Sequence, residues 1–157
     1  MTNVKVGGSV SCETKAPIQS LYIQLLQCWN DRNAPLLASL CADKALIIGF
    51  DGTQHCGKET IARELSVIFT QHATPAFVAC IKSICLLSPT TALLHAVAGM
   101  IPDGQSQINP DLNAIQIMVA TSQQGIWHIV SFQNTPAQFH GRPDLTEALT
   151  QELRQLL

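Results

Sequence analysis

Charged residues are scarce in this sequence. Asp, Glu, Lys and Arg make up 13% of the 157 residues, hydrophobic residues make up 46%, and the formal net charge is −2 at pH 7. No run of Lys or Arg forms a basic stripe, which argues against nucleic acid or an anionic membrane surface as a partner. A soluble monomer usually carries more surface charge. We therefore expect part of the surface to be an interface.

Motifs for metals, nucleotides and membranes are also missing. The six cysteines include no C-x-x-C pair and no Cys/His pairing at zinc spacing, so we expect reduced structural thiols and no metal. No G-x-G-x-x-G follows a predicted strand, and we expect no cofactor. The N-terminus lacks an apolar core of signal-peptide length, and no segment reaches the roughly 18 apolar residues of a membrane helix. A cytoplasmic protein without membrane contact is predicted.

The patterns that are present predict helices and long strands in one domain. Residues 1–15 lack periodicity and are predicted to form a flexible tail, and residues 16–157 are long enough for a single core. Asp51-Gly52 predicts a type I′ hairpin turn, and Asp144 with Glu147 resembles a capping box. Apolar periodicity predicts helices beginning near Pro17, Asn33, Gly57 and Asp144, and long strands over residues 77–87, 91–100, 112–120 and 126–134.

This order of elements predicts an α+β fold. Strands joined by short loops pair antiparallel, and a strongly twisted sheet of this size curls. Wrapped around the N-terminal helices, it would form a cone with an open end, which suits a small apolar molecule. The other face of the sheet is also apolar, and no predicted helix is left to cover it. A second copy of the chain is the simplest cover, so a two-fold homodimer is predicted.

Candidate acid–base residues are few. The predicted long strands contain no Asp or Glu, so no carboxylate on the sheet can act as a base. Asp51 could aim its carboxylate at the cavity mouth, although Asp before Gly usually serves the turn. His95, central in an apolar strand, is either a neutral base in the pocket or a hydrogen-bonded core histidine. Three histidines at element ends are predicted to be surface or cap residues: His55, His72 and His140.

Four further side chains are candidate ligand-binding residues. Tyr22 and Trp29 lie at the two ends of the apolar stripe of the first helix, and either line the cone or belong to the plain core. Gln116 and Gln133 are amides within apolar strands, where an unpaired buried amide would cost about 1 to 3 kcal/mol. Each glutamine therefore either bonds across the sheet as structure or points into the cavity and orients a ligand.

Several short motifs carry a resemblance to a known family. They are GFDG at 49–52, G-x-x-x-I at 57–61, HATPAFV at 72–78, INP at 108–110, NAIQ at 113–116, and W-x-I-x-x-FQNTPAQFHGRP from Trp127. Together they resemble the SgcJ/EcaC-type branch of the nuclear-transport-factor-2-like (SnoaL-like) superfamily, over most of the chain from Ile18 onward. The resemblance implies a cone-shaped α+β barrel that usually dimerises. The superfamily includes polyketide cyclases and ketosteroid isomerases, and also members that only bind or scaffold.

Three functional hypotheses follow. The leading one is a small homodimer that binds an apolar molecule in its cone, with no catalytic role assigned. The alternative is a cyclase or isomerase that uses Asp51 or His95 as base, with Tyr22 or a glutamine as hydrogen-bond partner. The third is an accessory protein that binds another protein through an exposed apolar surface.

Overall fold

Four helices and seven strands make up the described part of the fold. The computed structural model describes residues 4–8 and 12–157, and two short 3-10 helices, Glu13–Lys15 and Pro110–Leu112, accompany the longer elements. In chain order the strands and α-helices are β1 (Lys5–Gly7), α1 (Ala16–Asn30), α2 (Ala34–Ser39), β2 (Cys41–Ile48), β3 (Gln54–Cys56), α3 (Lys58–Gln71), β4 (Ala76–Ser88), β5 (Thr91–Ile101), β6 (Ala114–Gln123), β7 (Ile126–Pro136) and α4 (Pro143–Arg154).

The strands form one curved, unclosed sheet in the order β1-β4-β5-β6-β7-β2-β3. The four long strands β4 to β7 pair antiparallel with their chain neighbours, as predicted. Strand β2 joins the sheet parallel to β7 and carries β3 at the edge. Since the helices α1 to α3 lie on the concave face, the predicted α+β class with a curved sheet around N-terminal helices is confirmed.

The segment before α1 contains a strand that the sequence did not indicate. Lys5–Gly7 pairs parallel with β4 at the opposite edge of the sheet from β3, and the backbone N–H of Val4 donates to Gln27 Oε1 at 2.7 Å. Gly8 then turns the chain with a φ of +84°, where a Cβ would lie 2.3 Å from the carbonyl oxygen of Ile81. Residues 1–3 and 9–11 lie outside the described residues, so the flexibility of this tail stays a prediction.

The main core lies between the concave face of the sheet and the three N-terminal helices. Helices α1 and α3 contribute the apolar stripes that the sequence predicted, because residues three and four apart share one face of a helix. The strands contribute every second residue, since side chains alternate between the two faces. Members of this core that are almost completely buried include Ile18, Tyr22, Leu26, Ile61, Leu94, Met118 and Ile129.

The opposite, convex face of the sheet is partly covered by α4, which corrects the expectation that no helix remained for it. The extended segment after β7 returns the chain across this face, and Leu149 and Leu153 of α4 pack against Val78 and Val97. Gly99 permits this close approach, because a Cβ there would lie 3.0 Å from Leu153 Cδ1. Beyond α4, the convex face carries half-buried apolar side chains, among them Leu93, Ile117 and Val119.

Two local predictions are wrong. The turn at Asp51-Gly52 is not type I′, because among the described residues with positive φ only Gly52 (φ +87°) belongs to this turn. Gly52 N–H donates to Gly49 O at 3.0 Å and Gly49 N–H to Thr53 O at 2.9 Å, the pattern of a three-residue loop ending in a left-handed glycine. The capping box is also absent, because α4 begins at Pro143, a residue favoured at the first helical position.

Candidate functional site

A cavity of about 280 Å³ opens between α1, α3 and the end of the sheet formed by β2, β3 and β7. Its walls are mostly apolar, and four polar residues also contribute: Asp51, Thr53, His55 and Asn134. The volume is near the lower end for small-molecule sites, which begin at roughly 300 Å³. The cavity can therefore enclose one small, mostly apolar molecule.

Trp29 of α1 forms part of the apolar wall. Its ring centroid lies 5.1 Å from that of Phe69 and 5.5 Å from that of Phe77, and its Nε1–H donates to the carbonyl oxygen of Pro75 at 2.9 Å. Because the indole N–H is already bonded, Trp29 can offer a ligand its apolar surface. Trp29 thus both lines the cavity and packs against the core, the two alternatives that the sequence left open.

Behind the cavity runs a buried chain of hydrogen bonds. The hydroxyl of Tyr22 donates to Gln116 Oε1 at 2.5 Å, and Gln116 Nε2 donates to Asn134 Oδ1 at 3.1 Å. Tyr22 and Gln116 are fully buried, and burial strongly raises the pKa of Tyr22, so its hydroxyl stays neutral and donates. Gln116 therefore bonds across the sheet, and Tyr22 contacts the cavity through this chain instead of lining it.

Asn134 is the end of this chain that lines the cavity. Its Oδ1 accepts from Gln116, which fixes the amide orientation and leaves Nδ2 as the donor atom. Asn134 is 6% exposed, yet its Nδ2 is not among the fully enclosed unpaired atoms of the described residues. The amide N–H groups of Asn134 are thus available to a molecule in the cavity.

His55 and Glu64 form an ionisable pair at the other side of the cavity. His55, in the middle of β3, is 5% exposed and lines the cavity, and its Nδ1 lies 2.5 Å from Glu64 Oε2 on α3. The prediction that His55 is a surface or cap residue is wrong. The actual turn pairs His55 with Ile47, whereas a two-residue turn would have paired it with Ile48, on the other face.

Asp51 lies at the mouth of the cavity and serves the turn. Its Oδ1 accepts the backbone N–H of Thr53 at 3.0 Å. This hydrogen bond and, to a smaller extent, the nearby His55 hold the pKa of Asp51 below its usual value. Asp51 is therefore an ionised carboxylate facing solvent, and its role as a base stays a prediction.

His95 and Gln133 do not reach the cavity. The neighbours of His95, Leu94 and Ala96, are completely buried on the concave side, so alternation places the imidazole of His95 on the convex face. Gln133 is exposed on that same face, where its Nε2 donates to Thr135 Oγ1 at 3.2 Å. The sequence showed the strands but not which face each residue occupies, and neither side chain can act on a molecule in the cavity.

The chain was compared with known proteins. No protein-family model matches the sequence, and a search of curated proteins found no match. Among solved structures, a domain of unknown function with a cystatin-like fold from Nostoc punctiforme has a TM-score of 0.75 at 19% identity, covering 93% of both chains. A protein of unknown function from Pseudomonas putida, described as nuclear-transport-factor-2-like, has a TM-score of 0.62 at 17% identity, covering 81% of this chain and 89% of the other. The fold is nuclear-transport-factor-2-like.

A third similar structure of this nuclear-transport-factor-2-like fold is a ketosteroid isomerase-like protein from Erwinia carotovora atroseptica. Its TM-score is 0.62 at 17% identity, and the match covers 80% of this chain and 97% of the other. At such low identity the likeness concerns the fold. The SgcJ/EcaC-type branch stays a prediction from the sequence motifs.

Three polar residues of the candidate site in this nuclear-transport-factor-2-like fold were missed from the sequence: His55 and Asn134, which line the cavity, and Glu64, which is bonded to His55. One of them had a usable signal, because Glu64 falls on the apolar stripe of α3, three residues after Ile61 and four before Ile68. A carboxylate on an inward-facing stripe needs a partner. His55 and Asn134 had no comparable signal, since their faces depend on the register of β2, β3 and β7.

The remaining reactive groups do not form a second site. Across residues 4–8 and 12–157, no three His, Cys, Asp or Glu side chains come close enough together to hold a metal ion. All six cysteines lie within these residues and are free thiols. The same part of the chain has no helix both long and apolar enough to span a membrane.

Proposed function

We propose that the protein binds a small, mostly apolar molecule in the cavity of its nuclear-transport-factor-2-like fold. The observation that carries this proposal is the cavity itself, an open-ended space of about 280 Å³ with apolar walls and a few polar side chains. A pocket of this composition buries a ligand by the hydrophobic effect and orients it through its polar groups.

Native mass spectrometry of the purified protein, followed by denaturing extraction, tests this proposal. We expect a co-purified organic molecule, or after its removal, binding of 2-methylnaphthalene as an apolar probe. Ile68→Phe should fill the cavity, because Ile68 lines it, and should abolish binding. Val67→Phe is the matched control, because Val67 is exposed on the same helix. Absence of both a bound molecule and probe binding would contradict the proposal.

A cyclase or isomerase activity is the second candidate. Of the two bases predicted for it, Asp51 lies at the cavity mouth and His95 lies on the opposite face of the sheet. The ketosteroid isomerase-like structure supports this candidate at the level of the fold. If Asp51 is the base, Asp51→Asn should abolish turnover of a ketone substrate while the melting temperature stays within a few degrees. Unchanged turnover would exclude Asp51.

We also propose that two copies associate through the part of the convex face that α4 leaves uncovered. Leu93, Ile117 and Val119 are half-buried apolar residues there, and the low proportion of charged residues supports an interface. Sedimentation velocity at micromolar concentration should give a dimer, and Ile117→Asp should give a monomer. A monomeric unsubstituted protein would contradict this proposal and would strengthen the accessory-protein hypothesis. The cytoplasmic location stays a prediction from the sequence.

A further inference from the structure

The pair of His55 and Glu64 is more than an apolar ligand requires. His55 is almost fully buried and Glu64 retains 40% side-chain exposure, with 2.5 Å between Nδ1 and Oε2. An ionisable side chain placed in a mostly apolar cavity is unfavourable unless it is paired. An apolar side chain at position 55 would serve the cavity wall without this requirement. The pair therefore points to a polar group on the ligand.

The pairing with Glu64 also fixes the hydrogen-bonding properties of the imidazole. Because the carboxylate accepts, Nδ1 carries the hydrogen and donates it, and in the neutral ring Nε2 is then an acceptor. No described residue is hydrogen-bonded to Nε2, and this atom is not among the enclosed unpaired atoms. Since His55 lines the cavity, Nε2 is available to accept a hydrogen from a bound molecule.

The charges around the cavity select against an anionic ligand. Asp51 and Glu64 are both acidic, and Asp51 lines the cavity mouth. Among the described residues that line the cavity, none is Lys or Arg. Two carboxylates beside one imidazole would repel a carboxylate or phosphate. A neutral molecule that can give a hydrogen to Nε2 is the better match.

Asn134 supplies a second polar contact across the cavity. The sheet places Phe132, Ile47 and His55 side by side on β7, β2 and β3, so His55 is two strands from β7. Neighbouring strands lie about 4.8 Å apart, which separates the backbones by roughly 10 Å. This distance leaves room for a ring system between the imidazole and the amide of Asn134.

We propose that the ligand is a neutral ring compound bearing a hydroxyl, either a phenol or an enol, that donates its hydrogen to His55 Nε2. Glu64 positions the imidazole and keeps its acceptor nitrogen directed to the cavity, while Asn134 Nδ2 donates to an oxygen at the far side of the ligand. This assignment rests on the proposed function, since it specifies the class of molecule that the same cavity binds.

Two probes of nearly equal size and shape separate the hydroxyl from the apolar ring. Protein freed of any co-purified molecule is titrated with 2-naphthol and with 2-methylnaphthalene, and binding is followed by calorimetry. We expect 2-naphthol to bind roughly tenfold more tightly, the ratio that one net hydrogen bond gives. His55→Phe should retain binding of 2-methylnaphthalene and lose the preference. Glu64→Gln should reduce the preference, and Glu59→Gln, exposed on the same helix, should leave it unchanged.

Each outcome distinguishes this inference from the proposed function. Equal binding of the two probes to the unsubstituted protein would overturn the inference and leave the proposed function intact. Binding of neither probe, together with the absence of any co-purified molecule, would overturn both. A preference for 2-naphthol that persists in His55→Phe would also overturn the inference. His55→Gln, which keeps a polar side chain, replaces His55→Phe if the latter does not fold, and it should likewise lose the preference.

Discussion

Replacing Tyr22 with Phe tests whether the buried hydrogen-bond chain stabilises the fold. The substitution removes one oxygen and leaves the aromatic ring in place, so packing is nearly unchanged. It also leaves Gln116 Oε1 without the donor that lies 2.5 Å away. Both residues are 0% exposed, so water cannot replace the lost partner. The whole cost of an unpaired buried acceptor should therefore appear in the free energy of unfolding.

The expected magnitude follows from that loss. An unsatisfied buried acceptor costs about 1 to 3 kcal/mol, and for a chain of this size each kcal/mol lowers the melting temperature by roughly 2 to 4 °C. We expect Tyr22→Phe to lose about 2 kcal/mol in urea denaturation, with a melting temperature lower by roughly 4 to 8 °C. Ser66→Ala is the matched control, because it removes an exposed hydroxyl that donates to Ala62 O at 2.7 Å. Its effect should stay within about 0.5 kcal/mol.

Equal stability of Tyr22→Phe and the unsubstituted protein would refute this reasoning. It would mean that the Gln116 amide finds another donor when the phenol is absent, so the chain to Asn134 would not depend on Tyr22. A loss of stability in Ser66→Ala as large as in Tyr22→Phe would also contradict it, because burial would then not be the cause.

Three further perturbations test other parts of the fold. Leu153→Ala removes a fully buried side chain of α4 and should lower the free energy of unfolding in urea by about 2 to 5 kcal/mol. Leu157→Ala, at a 40% exposed position, should lower it by under about 1 kcal/mol. Equal effects of the two substitutions would mean that α4 does not pack on the sheet. Gly8→Ala should release β1 and increase its amide exchange, because the new Cβ would meet Ile81 O at 2.3 Å; unchanged exchange would contradict the pairing. Burial raises the pKa of the Cys41 thiol from 9.0 to about 12. The contribution of this thiol to the free energy of unfolding should therefore be full below pH 9 and be lost as the pH rises towards 12. Between pH 8 and pH 10.5, the free energy of unfolding of Cys41→Ala should decrease less than that of the unsubstituted protein.

The elements of this fold could be predicted from the sequence because they depend on local patterns. Apolar stripes gave α1 and α3, Pro35 after Asn33 gave α2, and turn residues separated the four long strands. The Asn33 side chain does accept the N–H of Leu36 at 3.0 Å. Such signals are contained within a few residues, so no knowledge of the rest of the chain was needed.

The candidate site depended on non-local features that local patterns do not contain. His55 was assigned to the surface because it lies at the end of a short predicted strand, and a change of one residue in the β2–β3 turn moves every side chain of β3 to the other face. The position of His95 on the convex face could not be predicted for a related reason, since an apolar strand buried on both faces does not indicate which residues face inward. Strand β1 has three residues, too few for a periodic pattern.

The placement of the N-terminal half around the sheet has a consequence for folding. Strand β2 pairs with β7, about 85 residues later in the chain, and β1 pairs with β4 across a similarly long interval. Loop-closure entropy must be overcome before such contacts form, and chains rich in distant contacts fold slowly. During synthesis, the apolar stripes of α1 and α3 emerge before the strands β6 and β7 that complete their cover. We therefore expect the growing chain to expose apolar surface until β7 leaves the ribosome, so that holding factors or low temperature should improve the yield of folded protein.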